Sequence, residues 1–238
     1  MQSLVDEVNS KQNLWTASTE QGRFYGSSLG DAKKLCGTFL NGTEELEEKV
    51  YPPEELVDIP DSFDARDAFK ECKDVIGHVR DQSACGSCWA FGTVEAFNAR
   101  VCIKSGGKLN QLLSAADMLA CCNIEHFCLS FGCSGGNPIT SWTFLHTNGI
   151  VSGKLSKNMK AADGCWPYNF PKCAHHQKES DYKPCAKELY DTPSCSSSCP
   201  NAKYGTAFDK DRHYTESLLP SRFGSTSSIK KEIMTNGP

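Results

Sequence analysis

Hydrophobic spacing divides this chain into helical, linker-like and unpatterned stretches. Leu4, Val5 and Val8 fall on one side of a short N-terminal helix, which Ser3 and Asp6 would open as a capping box. A second short helix is expected from Asp31 to Gly37. The stretch 41–60, NGTEELEEKVYPPEELVDIP, is acidic, carries prolines and keeps no sustained period. It reads as a linker of the kind proteases cut readily, with a domain boundary near Ile59. Beyond it, Ala90, Phe91, Val94, Phe97 and Val101 recur at helical spacing and predict a buried helix starting at or just after Cys88. Ser114 as cap, Asp117 three positions on, and the apolar pair Leu113 and Met118 predict another helix. Asn137-Pro138, a cap followed by a first-turn proline, opens a third that should run to Gly149. From Val151 to Phe223 the periodicity fades; prolines, glycines and cysteines there imply loops held by cross-links rather than by a core. A last helix should begin between Ser225 and Ser228 and end at Asn236-Gly237-Pro238.

Composition narrows the class. The 238 residues, 39% apolar and 23% charged, are enough for a full core. The net charge of -4 gives no hint of a nucleic-acid or anionic-membrane partner. No apolar run approaches the ~20 residues of a membrane span. Met1 is followed by polar residues rather than a signal-peptide core, so the chain is either cytosolic or has lost its signal. Its 14 cysteines, with Cys121 and Cys122 adjacent, favour the second option and a disulfide framework made in an oxidising compartment. Asn41-Gly42-Thr43 is a candidate acceptor for an N-linked glycan. No metal and no cofactor are expected: no clean Cys or Cys/His ligand spacing occurs, and His175 and His176 are too cramped to chelate one ion well.

The candidate chemistry lies in residues 81–92, DQSACGSCWAFG. A sulfur attacks as the thiolate, and the unpaired N–H groups of a helix N-terminus favour an anion. Cys88 stands where the predicted helix begins, whereas Cys85 lies in the preceding loop, which points to Cys88 as nucleophile and Cys85 as scaffold. Gln82 lies far enough upstream for its amide to return across the loop and hold an oxyanion beside the Cys88 N–H. From spacing alone, two sulfurs that merely cross-link would fit equally well. A thiol–disulfide oxidoreductase using both cysteines would need an apolar strand before the motif, and DVIGHVRDQSA is too polar for one.

The same segment closely resembles the active-site stretch of the papain-like cysteine peptidases, Gln-x5-Cys-Trp. The resemblance narrows to the cathepsin B type through IPDSFDAR (59–66), GCSGG (132–136), GIVSG (149–153), GCWPY (164–168), CAHH (173–176) and NGP (236–238), with LCGTFL (35–40) matching the propeptide. It implies an α+β papain-like fold, mainly the helical left domain with an occluding loop. A propeptide with its linker would cover residues 1–58 and the peptidase domain residues 59–238. It further implies Cys88 as nucleophile, Gln82 as oxyanion donor, Trp89 packed behind the nucleophile, and Gly135 and Gly136 as the edge receiving a substrate backbone. His175 and His176, on an occluding loop between Cys173 and Cys185, would take a substrate's terminal carboxylate and allow dipeptide removal from C-termini. Leu35, Cys36, Gly37, Thr38 and Phe39 would lie through the cleft, in the direction opposite to a substrate. Family pairing implies Cys72–Cys102, Cys85–Cys133, Cys121–Cys195, Cys122–Cys128, Cys165–Cys199 and Cys173–Cys185.

The activity so implied is that of an endopeptidase and peptidyl-dipeptidase made as a zymogen. Its partners would be peptide and protein substrates and its own propeptide; the protein would be a monomer, lysosomal, endosomal or secreted. Three departures matter. CSGG replaces the family's CNGG, the loop HHQKESDYKPC lacks an anchoring arginine, and the family's catalytic His and Asn would fall beyond Pro238 with most of a barrel-like second domain. A chain ending there is expected to be inactive alone, so an inactive binding or inhibitory module is the alternative. His213 as a substitute base is disfavoured by its charged setting, DKDRHYTES.

Overall fold

The computed structural model describes residues 2–20, 28–156, 158–175 and 181–238. Helix α1 (Gln2–Lys11) already contains Ser3, so Ser3 is not its cap, and it buries none of its residues. Helix α2 (Leu29–Lys34) starts and stops earlier than its spacing suggested. The N–H of Cys36 turns back onto the Lys33 carbonyl, and the chain then leaves in an extended form.

After two short helices, α3 (Ala65–Ala68) and α4 (Lys73–Ile76), comes the organising element α5 (Cys88–Lys104). Trp89, Ala90, Val94 and Phe97 are all buried along it. Its end is marked by Gly106 and Gly107, both in the left-handed region at φ +60 and +80. Helix α6 (Ala115–Cys121) begins as expected: Ser114 Oγ accepts the Asp117 N–H at 2.9 Å. The box is not completed, because the Asp117 carboxylate instead accepts the Val151 N–H at 3.0 Å. Helix α7 (Pro138–Thr147) is capped by the Asn137 side chain on the Ile139 N–H, and α8 (Thr226–Asn236) by Ser225 on the Ser228 N–H. Helices α4, α6, α7 and α8 all pack on α5. Among the described residues no helix is long and apolar enough to cross a membrane.

Residues 151–223 depart from expectation in an instructive way. They do contribute core: Val151, Trp166, Tyr168 and Phe208 are buried. Their pairing is by isolated bridges (Leu113 with Ser152, Ile150 with His213, Leu155 with Tyr168), too short to leave a period in the sequence. Buried polar side chains satisfy the loop backbone in place of strands. Asp211 accepts from the Ser152 N–H and hydroxyl and from the Tyr204 hydroxyl, at 2.6–2.8 Å. Asn201 donates to the Lys160 and Gly164 carbonyls.

The linker also differs from a free tether. Its backbone at Glu47 and Lys49 bonds to Arg222, and Glu48 lies beside Arg222 in a parallel bridge. Glu232 on α8 receives Lys49 Nζ at 2.7 Å, Arg100 Nη1 at 2.5 Å and the Tyr51 hydroxyl. Burial raises this carboxyl, but those three donors outweigh it and hold it down at about 2.

Candidate active site

Cys88 is the first residue of α5, so its N–H has no partner within the helix. The loop presenting it is fixed from three sides. Cys85 is bonded to Cys133, the Gly86 N–H donates to the Cys133 carbonyl at 2.8 Å, and the Gln82 amide donates to the Cys85 carbonyl at 2.8 Å. Trp89 is buried and donates from its indole to the Gly132 carbonyl at 3.1 Å. The indole also backs Gly136: a Cβ there would lie 2.5 Å from its ring, so only glycine fits.

The six disulfides are the pairs the resemblance implies: Cys72–Cys102, Cys85–Cys133, Cys121–Cys195, Cys122–Cys128, Cys165–Cys199 and Cys173–Cys185. Cys36 and Cys88 stand outside them.

Residues 35–39 lie across the sulfur. The Gly37 N–H points at Cys88 Sγ from 3.2 Å, and the Thr38 hydroxyl lies 3.3 Å from the same atom. Gly37 O accepts the Gly136 N–H at 2.7 Å and Phe39 N donates to Gly136 O at 2.9 Å, a parallel pairing. The Leu35 carbonyl reaches the Gln82 amide at 3.4 Å. Gly37 is pressed so closely on the wall that a Cβ would sit 1.8 Å from the Gly86 carbonyl oxygen. Asn41 is exposed just past this segment, its carbonyl accepting from the Asn137 amide at 3.0 Å.

At the Leu35 end a cavity of about 620 Å³ opens, bordered by Asp81, Gln82, Cys88, Lys172, His175 and Tyr182 among others. His175 Nε2 meets Asp81 Oδ1 at 2.7 Å, which ties the 173–185 loop to the loop carrying Gln82. Burial pushes the Asp81 carboxyl up, but His175 and the Ser83 and Cys173 N–H groups outweigh it and hold it below its usual range. His176 lies outside the described residues. His213 is elsewhere, bonded to Gln111, with its imidazole depressed by burial.

Two supporting residues escaped the sequence reading. Asp81, adjacent to Gln82, had no visible partner until folding brought His175 to it. Tyr168 bonds the Gln82 carbonyl at 2.7 Å and meets the Ser87 hydroxyl at 3.0 Å, bracing both ends of the loop that leads into Cys88. The only signal was its place in the GCWPY motif.

A helix-borne thiol, a flanking amide and a glycine-walled cleft together define a cysteine peptidase architecture. Comparison fixes the family: the model described as "Papain family cysteine protease" matches residues 59–238, and the chain belongs to that family. It is 40% identical over 242 residues to "Cathepsin B-like cysteine proteinase 6" of Caenorhabditis elegans, covering 99% of this chain and 61% of that protein. It is 36% identical to a "Cathepsin B-like cysteine proteinase" of Schistosoma japonicum, covering 99% of this chain and 66% of that one. The chain thus spans roughly three fifths to two thirds of these relatives. Among solved structures, "proCathepsin B S9 from Trypanosoma congolense" superposes with a TM-score of 0.68 at 26% identity, over 99% of this chain and 69% of that one.

Proposed function

We propose that the chain is the zymogen form of a cathepsin B-type cysteine peptidase. Cys88 is the nucleophile, Gln82 the oxyanion donor, the Gly135–Gly136 edge the substrate wall, and residues 35–39 the inhibitor. One observation carries the reading: the segment presents an N–H to the sulfur at 3.2 Å, where a substrate would present its carbonyl carbon. The cleft is therefore filled by a chain that offers the nucleophile nothing to attack. The 173–185 loop, held by its disulfide and by His175 on Asp81, supports a block at the far end of the cleft. Such a block favours removal of dipeptides from C-termini.

The test is labelling of Cys88 by a peptidyl chloromethyl ketone before and after cleavage within residues 43–58. Labelling that rises on cleavage and vanishes in Cys88→Ala supports the reading; equal labelling in that variant, or labelling that cleavage leaves unchanged, contradicts it. A second reading, a peptide-binding cleft without turnover, is favoured by one feature: among the described residues no imidazole bonds the Cys88 sulfur. Lasting absence of turnover with Cys88 still shielded would decide for it.

A further inference from the structure

The 173–185 loop gathers metal-ligand atoms whose chemistry the cleft leaves unused. Cys173, Cys185 and His175 each place one such atom within 4.8 Å of the others. His175 Nε2 lies 3.7 Å from Cys173 Sγ and 2.7 Å from Asp81 Oδ1, so one ring nitrogen faces both a sulfur and a carboxylate. Two sulfurs, an imidazole and a carboxylate are a set that suits tetrahedral zinc. A sulfur and a nitrogen on one tetrahedral zinc stand about 3.6 Å apart, a separation the Cys173–His175 contact already meets.

In the oxidised chain the two sulfurs are bonded to each other, and zinc takes thiolates rather than a disulfide. Two features let this bridge open and leave its ligands in place. Cys72–Cys102, Cys85–Cys133 and Cys122–Cys128 each join two buried residues, whereas Cys185 is only half-buried and within reach of a reductant. The stems of the loop are also paired independently of the bridge: the Ala174 N–H donates to the Lys183 carbonyl at 2.8 Å, and Ala174 bridges Pro184. The freed thiols therefore stay side by side, next to His175 and Asp81. The Ser83 and Cys173 N–H groups hold the Asp81 carboxylate at 2.7 and 3.2 Å, which leaves the lone pair now facing His175 for an ion.

We propose that, once its bridge is reduced, the loop binds one Zn²⁺ ion through Cys173, Cys185, His175 and Asp81, so that a metal replaces the covalent closure. The reductant is a small-molecule thiol. Two molecules of it give up their hydrogens and leave as one disulfide, and Cys173 and Cys185 become thiols. Zn²⁺ then displaces one proton from each sulfur to solvent, while the imidazole and the carboxylate coordinate it. The Asp81–His175 contact widens from 2.7 Å to about 3.4 Å to admit the ion. This site forms whether or not residues 35–39 shield Cys88. Sequence spacing hid it because Asp81 stands 92 residues before Cys173.

The experiment uses the full chain carrying Cys36→Ser and Cys88→Ala, so that every remaining cysteine belongs to a bridge. A water-soluble phosphine is raised until alkylation and peptide mapping show Cys173–Cys185 open, and the chain is desalted without oxygen. Opening of any of the three buried bridges first overturns the proposal. Co²⁺, the optical probe for Zn²⁺, should then bind with a sulfur-to-cobalt charge-transfer band and tetrahedral ligand-field bands, and Zn²⁺ should displace it. His175→Ala and Asp81→Ala should each weaken Zn²⁺ binding by at least about 10-fold. Cys121→Ser with Cys195→Ser, which removes another bridge that reaches the surface, should leave binding unchanged. No uptake by the reduced chain, equal uptake with the bridge intact, or an affinity that either His175→Ala or Asp81→Ala leaves unchanged overturns the site. Bands that persist in Cys173→Ser with Cys185→Ser overturn it as well.

Discussion

Residues 35–39 and residues 46–51 are both laid against the same domain, and opposite chemistry holds them there. The first stretch is seated by neutral backbone pairing with Gly136 and by a contact at Gly37 that admits no side chain. The second adds charge to its own backbone pairing with Arg222: Lys49 and Tyr51 converge on Glu232, with Arg100 completing the set, and Arg222 pairs with Glu48. A close backbone fit is all-or-none and insensitive to pH and salt. A charge cluster is graded and titratable. The segment over Cys88 is thus decoupled from acidity, whereas the 46–51 stretch is not.

The largest way to break the comparison is to remove the covalent clamp beneath the 35–39 stretch alone, the Cys85–Cys133 bond. Replacing Cys85 and Cys133 together by serine should cost roughly 2–5 kcal/mol, read as a fall in thermal midpoint. It should also expose Cys88 to alkylation, because the Gly86–Cys133 pairing then loses its covalent clamp.

Next in size is Glu232→Gln, which leaves Lys49 and Arg100 facing a neutral amide. Tryptic nicking at Lys49 should rise by about 10-fold or more, since breaking a buried charge cluster costs several kcal/mol. Cys88 alkylation should change less than about 3-fold, a difference of under 1 kcal/mol. Equal rises in both rates would show that the two stretches lift off as one.

Acidity separates them further. The Glu232 carboxyl is held at about 2, below the ~4.3 of an unfolded glutamate, so its stabilisation is complete above ~4.3 and drains away as pH falls through about 2. Linker nicking by an acid-active protease should therefore stay slow at pH 5 and accelerate only near pH 3. Asp117 behaves in the opposite sense. Burial pushes it up to about 7, against the lowering effect of the Val151 N–H, so its contribution is fullest below the unfolded value of ~3.9 and is lost as pH rises through about 7. The domain should be more stable to urea at pH 5 than at pH 8. Asp117→Asn, which can still accept from Val151, should flatten that slope.

How much was legible beforehand follows the physics of each element. Helix α5 was visible because its apolar residues repeat at helical spacing from Ala90 to Val101, and α7 because Asn137-Pro138 is a local signal that needs no partner. The place of Cys88 was visible for the same local reason, as a cysteine at the head of that helix. The bracing of Gln82 by Tyr168, the Asp81–His175 pair and the Glu232 cluster were not, because each joins residues far apart in sequence. Ser3 misled because a capping box needs a helix to start after it, and α1 starts before it. Residues 151–223 looked coreless because isolated bridges and buried carboxylates leave no periodic trace.

The smallest expected effect is that of salt. Lys231–Glu55, at 3.8 Å, and Arg222–Glu48 are partly exposed pairs worth under about 1 kcal/mol together with screening. Raising ionic strength to 1 M should speed linker nicking by only about 2–4-fold and leave Cys88 alkylation unchanged.

The central claim is that residues 35–39, seated through Gly37, shield the Cys88 sulfur, and the most direct measurement is the iodoacetamide rate at Cys88 in the full chain. Gly37→Ala puts a carbon 1.8 Å from the Gly86 carbonyl oxygen, so residues 35–39 must lift. The account predicts a rise of roughly 100-fold, equivalent to about 2.7 kcal/mol, with Glu232→Gln as the unresponsive control. A rate within about 2-fold of wild type in Gly37→Ala would mean that the segment does not shield Cys88, and the zymogen reading would be wrong.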